Sequence, residues 1–206
     1  MSGVNPVDRA RDDRGPHDDL DRRLIDEAAR MFAEVGPSGL SLRKLATNVG
    51  TSTMSVYTRF GGKPGLLAAM HREGFRRLGQ QLTHAGENEG GDNLLLEIGL
   101  AYRQAALDSP HLYGLMFGPL PKDIAFDPAD DPAAAATYAP LVQGVRVAVD
   151  NRDLVGDPER IALHLWVVAH GMVSLELSGQ LPVPPDEAKD AYVQALWFAA
   201  QPFIVE

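Results

Sequence analysis

The chain contains no cysteine among its 206 residues. This absence excludes a disulfide scaffold, a thiolate zinc site, an iron–sulfur cluster and a cysteine nucleophile. Long hydrophobic runs are also missing, because His164 and His170 interrupt the longest one, near residues 161–173, so no membrane span is predicted. The first 16 residues are charged and lack an apolar stretch. We therefore expect a disordered arm at residues 1–16, no secretory signal and a cytoplasmic protein.

Charge is distributed unevenly along the sequence. The net charge of −9 would argue against a nucleic-acid partner, but residues 36–77 hold seven basic residues and a single acidic one, Glu73. Residues 85–206 hold six basic and eighteen acidic residues. A short basic segment on an acidic body is typical of a local DNA contact, although charge alone leaves a chance surface distribution open.

Apolar residues recur at helical spacing through most of the chain, and no alternating β-branched run predicts a sheet. Serine, glycine and proline mark the ends of the helical segments. The fold class predicted is all-α with about nine helices, at residues 18–35, 42–49, 52–59, 63–83, 92–108, 110–117, 131–151, 157–178 and 186–200.

Two of these helices, at residues 157–178 and 186–200, are apolar on most of their surface. A helix of that kind must be buried on more than one side, and a chain of this size has little interior for two of them. We expect each to pack on its own body and on a second copy, forming a four-helix interface of a homodimer. A single large monomeric core is the alternative.

Residues 41–60 (SLRKLATNVGTSTMSVYTRF) predict a helix-turn-helix. Ser41 and Ser52 can cap two short helices, Gly50 suits the tight turn between them, and Ala46 lets the helices approach closely. The first turn of the second helix would then meet base edges, while nearby hydroxyl and cationic groups would meet phosphates. The predicted DNA contacts are Ser41, Arg43, Ser52, Thr53, Met54, Ser55, Tyr57, Thr58, Arg59 and Lys63. A purely structural helical hairpin is the alternative.

Over residues 20–80, which include the predicted helix-turn-helix, the chain resembles the TetR family of bacterial transcriptional regulators. The resemblance is carried by Ala28, Phe32, Gly36, Leu40-Ser41, Leu45-Ala46, Gly50, Ser52, Tyr57, Phe60, Lys63 and Leu66-Leu67. Residues 166–176 also resemble the WHG-type C-terminal domain found in one branch of the family. Met54 replaces the small residue usual at the start of the second helix, which affects the expected operator sequence.

The resemblance implies a helix-turn-helix DNA-binding domain at residues 17–62, a connecting helix at 63–84, and a C-terminal ligand-binding and dimerisation domain at 85–206. It implies a homodimer that binds a palindromic double-stranded DNA operator and is released by a small hydrophobic or aromatic effector. Candidate effector contacts are Tyr102, Tyr113, Met116, Phe117, Trp166, His170 and Met172. Plain core packing is the alternative for each of them, including a hydrogen-bonded core histidine at His170.

Other functional classes find little support in the sequence. The serine at GPSG (36–39) lacks a strand-to-helix elbow, and GGKPG (61–65) lacks the spacing of a phosphate loop. His164 and His170 are six residues apart, so they point in different directions on a helix. We therefore predict no enzyme, no metal and no cofactor. A helical protein-interaction module without specific DNA binding is the alternative function.

Overall fold

The computed structural model describes residues 16–88, 93–118 and 132–205. Over these residues the chain forms nine α-helices and a short 3-10 turn, Gln201–Phe203. The helices are α1 (Pro16–Gly39), α2 (Leu42–Val49), α3 (Thr53–Phe60), α4 (Lys63–Asn88), α5 (Leu94–Asp108), α6 (Pro110–Phe117), α7 (Pro132–Asp150), α8 (Pro158–Leu177) and α9 (Ala188–Ala200). The predicted arm at residues 1–16 lies almost wholly outside the described residues.

The all-α prediction is confirmed. In the described part of the chain, the only β-type pairing outside helices is an isolated antiparallel bridge between Leu154 and Ile204. None of the helices described is both long enough and apolar enough to cross a membrane.

The structure adds detail at the predicted end of the first helix and corrects the predicted end of the fourth. The helical φ/ψ values of α1 are interrupted at Gly36, whose φ of 68° and ψ of 178° turn the chain at the predicted GPSG break. The predicted end of the fourth helix near Thr83 is wrong, because α4 continues to Asn88. A glycine inside a helix costs only about 1 kcal/mol, so Gly86 alone does not end α4.

The described residues fall into two compact units. The first contains residues 16–73 and 114–118, and within it α1 packs against α2 and α2 against α3. Its interior is mainly apolar, with His71 as a buried polar residue that is 1% exposed. The side chains of this unit that have no exposed surface are Leu24, Ala28, Leu45, Val56, Leu66 and Met70.

The second unit contains residues 74–88, 93–113 and 132–205. In it α8 packs against α7 and α9, and α5 packs against all three. One core cluster is formed by Val145, Leu154, Ile161, Ala162, Leu165 and Ala199. The C-terminal segment is hydrogen-bonded to the loop before α8, since the Val155 amide donates to the Phe203 carbonyl at 2.8 Å and the Val205 amide to the Asp153 carbonyl at 3.1 Å.

Candidate nucleic-acid interface and polar cluster

Local caps fix the starts of α2 and α3. The Ser41 hydroxyl accepts a hydrogen bond from the Lys44 amide at 3.4 Å, and the Ser52 hydroxyl accepts one from the Ser55 amide at 3.1 Å. Gly50 ends α2 in the left-handed region, with φ 78° and ψ 37°. A side chain at this position would be strained, whereas glycine is not. The helix-turn-helix predicted at these residues is therefore present.

The inner sides of α2 and α3 form the packed contact of the motif. Leu45 and Val56 are fully buried, and Ala46 is 2% exposed, which suits the close approach of α2 and α3. The Arg23 guanidinium on α1 donates to the Val49 carbonyl at 2.7 Å. This hydrogen bond satisfies a carbonyl at the end of α2 and ties α1 to the turn.

The outer side of α3 faces solvent. The Met54 side chain is 72% exposed and Tyr57 is 51% exposed, both unusually open for large apolar groups. Among the ten predicted DNA contacts, those that are exposed are Ser41, Arg43, Ser52, Met54, Tyr57 and Thr58, and those that are partly buried are Thr53, Ser55, Arg59 and Lys63. Of the three first-turn residues that the prediction placed against base edges, Met54 is exposed, and Thr53 and Ser55 are partly exposed.

Arg59 differs from the other predicted cations because it has a partner within the fold. Its guanidinium forms an ion pair with Asp21 on α1 at 2.6 Å and donates to the Ser55 hydroxyl at 3.3 Å. The Arg59 side chain is only 17% exposed. These contacts give Arg59 a structural role that joins α1 to α3, and its predicted contact with DNA stays a prediction.

Arg43 and Lys63 have no ion-pair partner among the described residues. The pKa of the Glu27 carboxyl is lowered mainly by its hydrogen bond from Arg30, and the charge of Lys44, which is exposed and follows Arg43 in sequence, lowers it slightly further. The sequence prediction omits Lys44, although the charge count of residues 36–77 already includes it. Cations without an internal partner are the groups best able to neutralise phosphates.

The second unit contains a cluster of polar side chains, which we call the tyrosine–histidine cluster: Tyr102, Tyr113, His170 and Ser174. The Nδ1 atom of His170 lies 2.7 Å from the Tyr113 hydroxyl and 3.1 Å from the Tyr102 hydroxyl. The two hydroxyls are 3.0 Å apart, and Nε2 of His170 lies 3.4 Å from the Ser174 hydroxyl. Helices α5, α6 and α8 therefore place their polar groups at one point.

Aromatic rings extend from the tyrosine–histidine cluster along α8. His170 stacks on Tyr113 with ring centroids 5.7 Å apart, and Trp166 lies 5.9 Å from His170. Tyr138 of α7 meets Trp166 edge-on at 5.9 Å. This row of rings gives the cluster an apolar side suited to a flat, aromatic partner.

Burial keeps the groups of the cluster uncharged. Loss of solvent, together with the neighbouring Tyr113, raises the pKa of the Tyr102 hydroxyl, and loss of solvent raises that of Tyr113. Burial lowers the pKa of His170 below its ordinary value of 6.5. The cluster thus offers neutral hydrogen-bonding groups at neutral pH.

The seven predicted effector contacts are only partly brought together. Tyr102, Tyr113, Trp166 and His170 adjoin one another, whereas Met172 follows His170 by two residues and so projects from a different side of α8. Met116 is buried and Phe117 is partly buried. Both belong to the segment of α6 that is assigned to the first unit. The prediction missed Ser174, although its place one helical turn after His170 could have indicated it.

A partly buried ion pair also joins α5 to α8. The Arg103 guanidinium donates to both carboxylate oxygens of Glu176, with a distance of 2.8 Å from Nε. Their side chains are 13% and 16% exposed. In this bidentate ion pair, two N–H groups of Arg103 donate to the carboxylate of Glu176, and the two opposite charges compensate each other.

The lowered pKa of His170 predicts an acid-dependent loss of stability. Below about pH 6.5 the unfolded chain binds a proton that the partly buried imidazole resists because its pKa is lowered, so the free energy of unfolding falls as pH falls through this range. His170→Asn should remove this part of the dependence. The measurement is urea unfolding followed by tryptophan fluorescence at pH 7.5 and 5.5, since both tryptophans lie in the second unit.

The matched control for that experiment is His164→Asn, because His164 is exposed on the same helix. This variant should retain the acid dependence of the natural chain. An equal dependence in the natural chain and in His170→Asn would contradict the prediction.

Comparison with known proteins agrees with this geometry. Residues 24–70 match the family described as "Bacterial regulatory proteins, tetR family", and residues 95–197 match "Tetracyclin repressor-like, C-terminal domain". An uncharacterised HTH-type transcriptional regulator of Mycobacterium tuberculosis is 28% identical over 162 residues, which are 78% of this chain and 72% of that protein.

Two solved structures extend the comparison to the whole fold. A protein of unknown function from Rhodococcus sp. RHA1 is 30% identical with a TM-score of 0.71, over 92% of this chain and 98% of the other. The complex of SmeT with triclosan is 17% identical with a TM-score of 0.67, over 91% and 93%, and so shows likeness of fold alone. From the two matched segments and the helix-turn-helix between α2 and α3, the chain belongs to the TetR family of bacterial regulatory proteins and is a DNA-binding transcriptional regulator.

Proposed function

We propose that the protein is a repressor that binds a palindromic operator as a homodimer and leaves it when a small aromatic or hydrophobic effector binds the second unit. The observation that carries this proposal is the exposed outer side of α3, where Met54 and Tyr57 are open to solvent at the start and middle of the helix. The proposal assigns no chemical turnover to the chain and places its action in the bacterial cytoplasm, where the DNA is.

The roles of the DNA contacts follow from their chemistry. Thr53 and Met54 in the first turn of α3 would meet base edges, since a methionine can contact a thymine methyl and a hydroxyl can donate or accept. Arg43 and Lys63, which are not neutralised within the described fold, would contact phosphates.

The homodimer would form through α8 and α9. Large apolar side chains on these two helices are open to solvent to a degree that a single copy does not explain, at Leu163 (51%), Val167 (56%), Leu175 (40%), Trp197 (57%) and Phe198 (63%). Burying them against the same helices of a second copy removes this apolar surface from water. The two copies would then present their α3 helices at half-sites about 34–36 Å apart, one turn of DNA.

The effector would bind at the tyrosine–histidine cluster. Its row of rings and its buried hydroxyls provide the combination of apolar walls and few polar groups typical of small-molecule sites. The complex of SmeT with triclosan is an instance of this fold holding a small molecule. A differential affinity of the effector for the two conformations worth about 1–3 kcal/mol would change the affinity for DNA about 5- to 150-fold.

Selection from a random double-stranded DNA library tests the function as a whole. We expect enrichment of an inverted repeat whose half-sites are separated by about one helical turn. Selection would be carried out at about 150 mM salt, because electrostatic binding without sequence preference dominates at low salt. Failure to enrich any sequence would refute specific DNA binding, and enrichment of a single half-site would refute the dimeric geometry.

Lys63→Ala should weaken binding to the selected operator and to unrelated DNA by the same factor. Lys63 would contact a phosphate, which carries no sequence information, so the salt dependence of log K should fall by about one per protomer. Fluorescence anisotropy titrations between 50 and 200 mM salt measure both quantities.

Arg152→Ala is the control, since it removes one positive charge from an exposed position between α7 and α8, outside the helix-turn-helix and the helices of the proposed dimer. It should leave both the affinity and the salt dependence unchanged. A Lys63→Ala variant that loses affinity for the operator alone would show that Lys63 reads sequence instead.

A further inference from the structure

We propose that Met54 is a site of oxidation, at which a peroxide converts the thioether to a sulfoxide and thereby lowers the affinity of the protein for its operator. This inference rests on the proposed function, in which Met54 meets a base edge. It goes further by assigning a chemical modification to that side chain, and with it a way of regulating DNA binding.

The chain offers a peroxide few reactive sulfur atoms. It has no cysteine, and five of its six methionines lie within the described residues. Three of these five are buried: Met31 (3% exposed), Met70 (0%) and Met116 (8%). The sulfur of Met31 also lies 3.9 Å from the side-chain nitrogen of Asn48. A peroxide reaches such sulfur atoms only when the fold opens locally.

Met54 is far more exposed than the other methionines that the structure describes. It is 72% exposed, whereas Met172 on α8 is partly buried. The backbone around Met54 is regular helix, and its carbonyl accepts a hydrogen bond from the Thr58 hydroxyl at 3.0 Å. The packing of α3 is provided by Val56, which is fully buried. Oxidation of Met54 therefore changes the outer surface of α3 and leaves its packed side unaltered.

The reaction with hydrogen peroxide transfers one oxygen atom to the Met54 sulfur. A lone pair of the sulfur attacks one peroxide oxygen, the O–O bond breaks, and the other oxygen takes up a proton and leaves as water. The sulfur is oxidised by two electrons, and the peroxide is reduced. The sulfoxide carries no net charge, but it is polar where the thioether was apolar.

The sulfoxide would disturb the contact with a base and leave the contacts with phosphates in place. A thioether suits a thymine methyl, whereas the sulfoxide oxygen would lose its water against that methyl without gaining a donor. The charges of Arg43 and Lys63 are unchanged, so electrostatic binding without sequence preference is kept. Oxidation should therefore weaken binding to the operator and spare binding to unrelated DNA.

The first measurement follows the order in which the methionines are oxidised. The full chain without DNA is treated with hydrogen peroxide, the reaction is stopped with catalase, and peptide mass spectrometry reports the oxidised fraction at each methionine. Met54 should react at least about tenfold faster than the three buried methionines, which require local opening. An excess of the selected operator should slow the oxidation of Met54 and leave that of Met172 unchanged.

The second measurement is the affinity for DNA, by fluorescence anisotropy at about 150 mM salt. Protein oxidised at Met54 should bind the selected operator about tenfold more weakly, because a polar group is buried without a partner. Its affinity for unrelated DNA should be unchanged. Methionine sulfoxide reductases A and B, which together reduce both epimers of the sulfoxide, should restore operator binding.

Two variants separate Met54 from the rest of the chain. Met54→Leu keeps an apolar side chain of similar volume that peroxide does not oxidise, so peroxide should not change its affinity for the operator. Met172→Leu is the matched control, because it removes the partly buried methionine of α8. It should lose operator affinity on oxidation as the natural chain does.

Several results would overturn the inference: a buried methionine is oxidised before Met54, the operator does not protect Met54, or oxidation at Met54 leaves operator affinity unchanged. A Met54→Leu variant that remains sensitive to peroxide would overturn it as well. Failure of the proposed function is distinguishable, because protein that has not been oxidised would then select no operator at all.

Discussion

Leu45→Ala should abolish DNA binding and destabilise the first unit by about 3 kcal/mol, the largest effect expected from a single change in the helix-turn-helix. Leu45 on α2 is fully buried, so alanine removes buried apolar surface and leaves a cavity in the contact with α1 and α3. Both tryptophans lie in the second unit, so tryptophan fluorescence would miss this loss. Amide hydrogen exchange in α2 and α3 measures it directly, and protection should fall about 100-fold.

Met54→Ala provides the control on the neighbouring helix. It also shortens a large apolar side chain of the same motif, but this side chain is 72% exposed and packs little. Hydrogen exchange should be unchanged, while selection from a random library should yield a different preferred half-site. A Met54→Ala variant that weakens hydrogen-exchange protection as much as Leu45→Ala does would contradict the distinction between a packed side of the motif and a side that contacts bases.

If the protein is the proposed homodimer, Trp197→Arg should convert it to a monomer and lower operator affinity by about 100-fold or more. Trp197 on α9 is 57% exposed in one copy, and the proposed interface through α8 and α9 would bury it. A guanidinium there would lose its water without gaining a partner, so the dimer would be disfavoured by several kcal/mol. A monomer binds only one half-site, and the gain from linking two sites disappears.

Analytical ultracentrifugation measures the first effect, since the mass should fall from twice 22.3 kDa to 22.3 kDa. Val155→Arg is the control, because Val155 is 61% exposed but lies in the segment between α7 and α8, outside both helices of the proposed interface. A dimer that persists in Trp197→Arg and dissociates in Val155→Arg would place the interface elsewhere.

Features that depend on neighbouring residues were predictable from the sequence. Ser41, Ser52 and Gly50 act within one turn of their own helices, so their residue types suffice to mark the caps and the turn. Helical periodicity predicted the nine helices because apolar spacing records which side of each helix is buried.

Features that join distant segments were not predictable. The ion pair between Arg59 and Asp21 spans 38 residues, and the hydrogen bond between Tyr113 and His170 spans 57. No local pattern indicates that these side chains meet, since that depends on how α1, α3, α5, α6 and α8 pack. For the same reason, the sequence named the aromatic and methionine candidates without indicating which of them meet.

The difference between buried and exposed positions along α3 affects how regulators of this family can diverge in sequence. Val56 is fully buried and maintains the fold, whereas Met54 and Tyr57 are open to solvent. Most mutations are tolerated only while a protein stays above its stability threshold, and changes at the open positions leave that threshold untouched. Duplicated copies of the gene can therefore acquire new operators by drift at a few surface codons, without first accumulating compensating changes in the core.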